Sequence, residues 1–264
     1  DRMEAMTQPT VAAIMLVNGR PEMVQRAIKS FASSNYPAMW RRLLIYDNGI
    51  NEFRYELSDY EMCRRGQLRV SVARADKWDG YTIGRLRNDA AKFVQEDIIV
   101  HWDSDEWSAD ERIPEQVALL QSSGKQCVGY RDMLFWQHDQ EPDHDIDCPG
   151  CAGKAWLYSN PAREYCIGTS LCYWREVWEQ RPFPDLPKRK GDVGEDVEWL
   201  RGVDAMGVSA FCNPQGLEID RNWRMIASIH GANTQYYDPA EYVERERGNS
   251  WKRVAEWDSY CSAR

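Results

Sequence analysis

The sequence predicts an α/β fold built on a mostly parallel sheet, with a smaller mixed region after it. Three observations predict it. Strand-like and helix-like segments alternate through residues 10–105. The opening strand, residues 10–17 (TVAAIMLV), is apolar without a break, as a strand covered on both faces must be. A later apolar run, residues 97–100 continuing into His101-Trp102, empties into the acidic stretch HWDSDEW, residues 101–107. Open α/β sheets bind ligands beyond the C-terminal ends of their strands, where this stretch would lie.

Each element has its own signal. Asn18-Gly19-Arg20-Pro21 is a turn, and Pro21 suits the first turn of a helix. Val24, Ala27, Ile28 and Phe31 recur at helical spacing, predicting an amphipathic helix over 22–34. Residues 42–46 form a second strand closed by Asp47-Asn48-Gly49, a β-α-β unit with a right-handed crossover. A helix over 52–65, a third strand over 68–73 and a loop over 76–81 follow. Ile83, Leu86, Ala90, Phe93 and Val94 mark another helix, which carries Arg85, Arg87, Asn88 and Lys92 elsewhere on its surface. Ser108-Ala109-Asp110-Glu111 has capping-box spacing, and a helix runs from Pro114 through Gln121.

The pattern changes after Gly124. Residues 126–136 read as a strand pair, 165–174 as an apolar segment and 175–180 as a helix. Gly194-Glu195-Asp196 opens a helix over 197–201. Short strands are expected at 207–212 and 225–229, the second ending in His230-Gly231. The tail, 239–264, reads as two charged helical pieces split at Gly248-Asn249. No internal repeat or low-complexity linker interrupts the chain, so a single domain over 1–264 is the simplest organisation.

Bulk composition narrows the function classes. With 264 residues, 43% apolar and 28% charged, the chain can bury a substantial core and solvate its surface. The longest apolar run, residues 11–17, falls far short of the roughly 20 residues a membrane span needs. No charged-apolar-small leader opens the sequence, so a cytoplasmic protein with reduced thiols is expected despite eight cysteines. A net charge of −9 disfavours wrapping a nucleic-acid backbone. Twelve tryptophans offer faces for sugars or bases, and equally fill helix–sheet contacts.

The acidic stretch carries the first chemistry. Asp103 and Asp105, spaced Asp-x-Asp, repel each other unless a cation lies between them. Hard divalent ions such as Mg²⁺ or Mn²⁺ take such oxygen ligands and bridge to substrate phosphates. A solvated acidic loop is the plainer alternative. A second cluster, His138, His144, Cys148 and Cys151, has the composition of a tetrahedral zinc site, in spacing that matches no familiar zinc pattern. An ordinary acidic loop competes with that reading too.

In order along the chain, these pieces resemble the GT-A-fold glycosyltransferases, and among them the family-two inverting enzymes. The strand and turn at 11–21 with Asp47-Asn48-Gly49, the glycine-containing loop 78–84 leading to Arg87-Asn88, the Asp103-Ser104-Asp105 triplet, and Glu195-Asp196 followed by His230 match motifs of that family. The likeness spans residues 10–232. Gly19 stands between Asn18 and Arg20 where the family has Asn-Arg adjacent, and Asp-Asn-Gly-Ile replaces the commoner Asp-Asp-Gly-Ser.

The resemblance implies a GT-A nucleotide-binding sheet and transfer of a sugar from a UDP- or GDP-linked donor, assisted by Mn²⁺ or Mg²⁺. Residues 10–105 would hold the donor, 106–238 the acceptor and catalytic groups, and 239–264 a helical tail. Asn18, Arg20, Asp47, Trp78, Arg87 and Asp103 would contact the donor. Asp105, Asp103 and His230 would hold the cation. Asp196 would be the general base and Glu195 its orienting partner, although acids also favour a helix N-terminus for electrostatic reasons. Trp174, Trp178 and Trp199 flank that region, where they either bound the acceptor or pack the core. The acceptor is a hydroxyl on a glycan, a protein, a small molecule or a hydroxymethylated DNA base. A sugar nucleotidyltransferase, a metal-independent glycoside hydrolase and a non-enzymatic carbohydrate-binding protein are the competing classes.

Overall fold

The computed structural model describes residues 8–48, 68–75, 81–138, 153–187, 194–212, 222–230, 239–240 and 250–264. Strand β1 (Val11–Val17) sits centrally and is buried along almost its whole length. Its odd residues Val11, Ala13, Met15 and Val17 face helix α1 (Pro21–Ser33), which presents Val24, Ala27, Ile28 and Phe31. Its even residues Ala12 and Ile14 pack with Leu86, Ala90 and Ala91 of helix α2 (Ile83–Ala91). The unbroken apolar run is thereby explained: alternation across the strand meets an apolar layer on either side. Strands β2 (Arg41–Asp47) and β3 (Arg69–Arg74) extend the sheet on one flank, and β4 (Ile98–His101) pairs with β1 on the other, all parallel.

The second half grafts a mixed layer onto β4. Strand β5 (Trp107–Ser108) and helix α3 (Arg112–Ser123) lead to strand β6 (Cys127–His138), which pairs antiparallel with β7 (Gly153–Ser159) and β8 (Cys172–Trp174). Helices α4 (Arg175–Gln180) and α5 (Glu195–Leu200) precede β9 (Ala205–Ser209), β10 (Phe211–Cys212), β11 (Asn222–Trp223) and β12 (Met225–Ile229). Strand β13 (Trp251–Arg253) and helix α6 (Asp258–Ser262) close the chain. The main path runs β13-β7-β6-β8-β4-β1-β2-β3, with β9 and β12 also pairing parallel to β6. Because β8 is antiparallel to both β4 and β6, the strands β1, β2, β3, β4, β6, β9 and β12 all point the same way. Their C-terminal ends form one edge. Among the described residues no helix is long and apolar enough to cross a membrane.

Several local expectations need correcting. Residues 126–136 make one long strand, not a pair. The polar Arg131-Asp132 step breaks the apolar pattern without ending the strand. It marks an irregularity in pairing with β9, where Asp132 accepts hydrogen bonds from Ser209 Oγ (2.7 Å) and Ala210 N (3.1 Å). The capping box does not form. Ser108 belongs to β5 and accepts from Arg112 Nη1 at 2.8 Å, while Glu111 leads α3 without a side-chain cap. The segment read as one strand over 207–212 divides into β9 and β10. After Gly248-Asn249 the chain first forms a strand, because Trp251 packs on Phe135 (4.8 Å between ring centres) and Tyr158 (5.0 Å). The helix expected at 52–65 and most of the loop at 76–81 lie outside the described residues.

Candidate active site

The C-terminal edge collects the chemistry-bearing residues. Asn18 and Arg20 follow β1, Asp47 ends β2, Asp103 and Asp105 follow β4, His138 ends β6 and His230 follows β12. Val17 and Asp47 are paired across β1 and β2, which sets the two turns side by side. Arg20 takes a left-handed backbone conformation (φ 60°) immediately after Gly19, also left-handed, and this aims its side chain back over the edge. Its Nη1 donates to Asp105 Oδ2 at 2.8 Å and to His230 Nε2 at 2.7 Å. His230 Nε2 stands 3.1 Å from the same carboxylate oxygen and is fully buried. Burial acts to raise the Asp105 carboxyl, but its contacts with His230 and Arg20 outweigh this and hold it below its ordinary value.

This seat suits a divalent cation. An oxygen and a nitrogen 3.1 Å apart match two adjacent ligands of an octahedral ion with bonds of about 2.1 Å. A positive charge already lies against both donor atoms, the Arg20 guanidinium. Among the described residues no three His, Cys, Asp or Glu side chains yet converge on one point. Asp103 faces Arg87, whose Nη1 is 3.8 Å from Asp103 Oδ1. Burial raises the Asp103 carboxyl, Arg87 opposes this and Asp105 adds to it.

Arg87 joins this acidic pair to the candidate base. It projects from α2, is buried, and donates through Nε to Glu195 Oε1 at 3.2 Å. Burial disfavours its charge, yet Asp103, Glu195 and Asp196 together raise it above its ordinary value. Its Nη1 has no hydrogen-bond partner among the described residues. Asp196, in the first turn of α5, is pushed up to about 6 by burial and by Glu195. Two glycines make room for its carboxylate. A Cβ on Gly168 would overlap Asp196 Oδ2, and one on Gly194 would lie 2.5 Å from Oδ1.

Some of these supports escape sequence reasoning. Gly168 is fixed by His101, whose Nδ1 donates to the Gly168 carbonyl at 2.6 Å. That leaves His101 Nε2 to accept from the Tyr173 hydroxyl at 3.4 Å, so the histidine is a neutral strut. Burial and the Arg87 charge hold its pKa well below the ordinary value. Glu106, next to Asp105, accepts from Thr169 Oγ1; burial, Asp103 and Asp105 push it well above the ordinary range. Arg112 ties the two segments, donating to the carbonyls of His101 (2.7 Å) and Thr169 (3.1 Å). Asn88 clamps the segment before α5: its Nδ2 donates to Phe183 O (2.8 Å), and its Oδ1 accepts from Phe183 N and Trp178 Nε1, both at 2.9 Å. Phe183 stacks on the fully buried Trp199. Trp199 and Trp178 are thus packing and clamp residues.

The edge brings together Arg20, Arg87, Asp103, Asp105, Glu195, Asp196 and His230 through the contacts above, with Asn18 and Asp47 beside them. Trp78 lies outside the described residues, as do His144, Cys148 and Cys151 of the suggested zinc set. His138, the described member of that set, has its ring centre 6.2 Å from that of His230.

Comparison with known proteins agrees with this architecture. The family model described as "Glycosyl transferase family 2" matches residues 12–160. No curated protein matches the chain by sequence. Among solved structures, S. aureus TarS 1-349 in complex with UDP-GlcNAc is similar at 12% identity and TM-score 0.56, over 89% of this chain and 64% of that one. The mannosyltransferase PcManGT from Pyrobaculum calidifontis, in complex with GDP-Man and Mn²⁺, is similar at 13% identity and TM-score 0.53, over 98% and 69%. GalNAc-T7 with UDP, GalNAc and Mn²⁺ is similar at 13% identity and TM-score 0.56, over 84% and 44%. The chain spans about 60% of the length of TarS 1-349.

Proposed function

The chain belongs to glycosyl transferase family 2, and from that premise we propose that it transfers a sugar from a UDP- or GDP-linked donor to a hydroxyl acceptor, with a divalent cation and with inversion at the anomeric carbon. The observation that carries this reading is the Asp105–His230 seat, 3.1 Å wide, with the Arg87 guanidinium running from neighbouring Asp103 to Glu195 beside Asp196. The nucleotide sugars and Mn²⁺ bound by the similar solved structures support the same donor class and ion. A nucleotidyltransferase, a glycoside hydrolase or a carbohydrate-binding module would not account for family membership.

In this reading residues 10–105 hold the donor, with Asn18 and Asp47 at the nucleoside. Asp105 and His230 would hold the ion, and Asp103 would contact the ribose or a water on the ion. Bound there, Mn²⁺ or Mg²⁺ would supply Lewis-acid neutralisation of the departing diphosphate. Arg87, with an unpartnered buried N–H, donates to a diphosphate oxygen while its Nε keeps Glu195 in place. Asp196 accepts the acceptor hydroxyl's proton as the acceptor oxygen bonds to the anomeric carbon and the bond to the diphosphate oxygen breaks. At about 6 its pKa lies near neutrality, where a general base is both ionised and basic enough to take a proton. Residues 106–238 shape the acceptor side.

The test is a panel of nucleotide sugars incubated with the protein, with Mn²⁺ or with a chelator, measuring released nucleotide. One UDP- or GDP-linked sugar should be turned over only with the ion, and Asp105→Ala should abolish that turnover. Equal turnover in chelator would refute the cation's role.

A further inference from the structure

His138 is unexplained by the reading above. It is only 5% exposed, yet neither ring nitrogen has a hydrogen-bond partner among the described residues. Leaving both nitrogens of a buried imidazole unpaired costs on the order of 1–3 kcal/mol per group, so such a side chain calls for a partner, whether a water, an ion or a ligand. Its position says what. Strands β6 and β12 run parallel, with Gln137 opposite Ile229. The next residues are His138, which ends β6, and His230, which follows β12. Their rings are 6.2 Å apart and tilted at 63°. Two imidazoles on one ion have ring centres no more than about 6.5 Å apart, because each nitrogen–metal bond is about 2.1 Å. At 6.2 Å the pair fits with the two nitrogens nearly opposite each other across an ion, although the side chains do not yet meet at one point.

We infer that His138 is a second imidazole ligand of the cation seated on Asp105 and His230, completing an N,N,O donor set. This rests on the proposed cation seat and adds to it a residue and a selectivity. Arg20 Nη1 contacts both Asp105 and His230, so a cation enters this seat as Arg20 withdraws, and coordination by His138 then requires its ring to turn toward the ion. The consequence is chemical. Mg²⁺ prefers oxygen ligands, whereas imidazole nitrogen favours transition ions in the Irving–Williams order. A two-histidine seat therefore ranks Co²⁺ above Mn²⁺ and both above Mg²⁺. It also removes His138 from the zinc cluster suggested by its sequence neighbours.

Pulsed electron paramagnetic resonance of the full chain loaded with Mn²⁺ alone counts coordinated imidazole nitrogens directly. Two nitrogen couplings are expected in the wild type and one in His138→Gln. Calorimetry should show Mn²⁺ affinity falling at least tenfold in that variant, with Mg²⁺ affinity changed by less than twofold. A single coupling in the wild type would overturn the inference and leave the Asp105–His230 seat standing. Absence of any Mn²⁺ binding would overturn the seat as well. The wild-type spectrum decides even if His138→Gln does not fold.

Discussion

Asp196 shows how a single residue's surroundings set its chemistry. Its carboxylate lies between Gly168 and Gly194, and burial with Glu195 beside it pushes its pKa up to about 6 from an ordinary 3.8. Asp196→Asn should therefore keep donor binding and lose transfer by roughly 10²–10⁴-fold, measured as kcat with saturating nucleotide sugar. Wild-type turnover should rise with pH through about 6, as the carboxylate ionises. The stability effect has the opposite sense. A carboxyl that holds its proton more tightly folded than unfolded contributes stability below 3.8 that is lost as pH rises through 6. Asp196→Asn should thus melt higher than wild type at pH 7.5, and the gap should close below pH 4. An unchanged difference across that range would show that ionisation is not the cause.

Arg20 is the other decisive residue. A guanidinium seated on Asp105 and His230 competes with a cation for the same two donors. Arg20→Gln should tighten Mn²⁺ binding by about three- to tenfold by calorimetry, on the scale of a partly buried charge contact. Weaker binding in that variant would mean that Arg20 supports the seat and does not contest it. The sequence shows Arg20 beside a proline turn, a pattern it shares with ordinary helix starts. Its role becomes visible only with Asp105 and His230, 85 and 210 residues away.

Helix α2 links the two halves of the site. Arg87 reaches Asp103 and Glu195 from one position, and Asn88, next in sequence, makes its bonds to Phe183 and Trp178. Asn88→Ala removes these bonds and frees the segment that leads to α5. It should destabilise the protein by about 1–3 kcal/mol in denaturant unfolding and lower kcat more than it raises KM. A loss confined to KM would place Asn88 in donor binding instead. Legibility also varied by element. β1, β2 and β4 are readable as short unbroken apolar runs, and α1 and α2 by apolar residues at helical spacing. β6 was not read as one strand, because its Arg131-Asp132 step mimics a turn while serving the contact with Ser209 and Ala210. β13 hid in a charged tail that scores as helix, and its aromatic partners lie far away in sequence.

For the whole molecule, the parallel direction shared by β1, β2, β4, β6 and β12 places Asn18, Arg20, Asp47, Asp103, Asp105, His138 and His230 on one edge, and helices α2 and α5 bring Arg87, Glu195 and Asp196 to it. The sequence resemblance singles out Asp105, Glu195, Asp196 and His230 as candidates by order alone. The family match covers residues 12–160, so Glu195, Asp196 and His230 lie beyond it and rest on the geometry that joins them to Asp105 and Arg87. His101, Gly168 and Arg112 were illegible because they act through backbone carbonyls and close approach, which leave no mark of residue type. The nearness of His138 to His230, 6.2 Å between ring centres, is illegible in sequence because it comes from the parallel pairing of β6 and β12, 92 residues apart at that point.

The most direct test of the cation seat is anomalous diffraction from crystals grown with Mn²⁺ and UDP. The expected map has one manganese peak bonded to Asp105 and His230, with the Arg20 guanidinium displaced toward the diphosphate and Asp196 open to the acceptor side. A peak elsewhere, or Arg20 still seated between Asp105 and His230 beside bound UDP, would contradict the assignment of this edge as the donor and cation site.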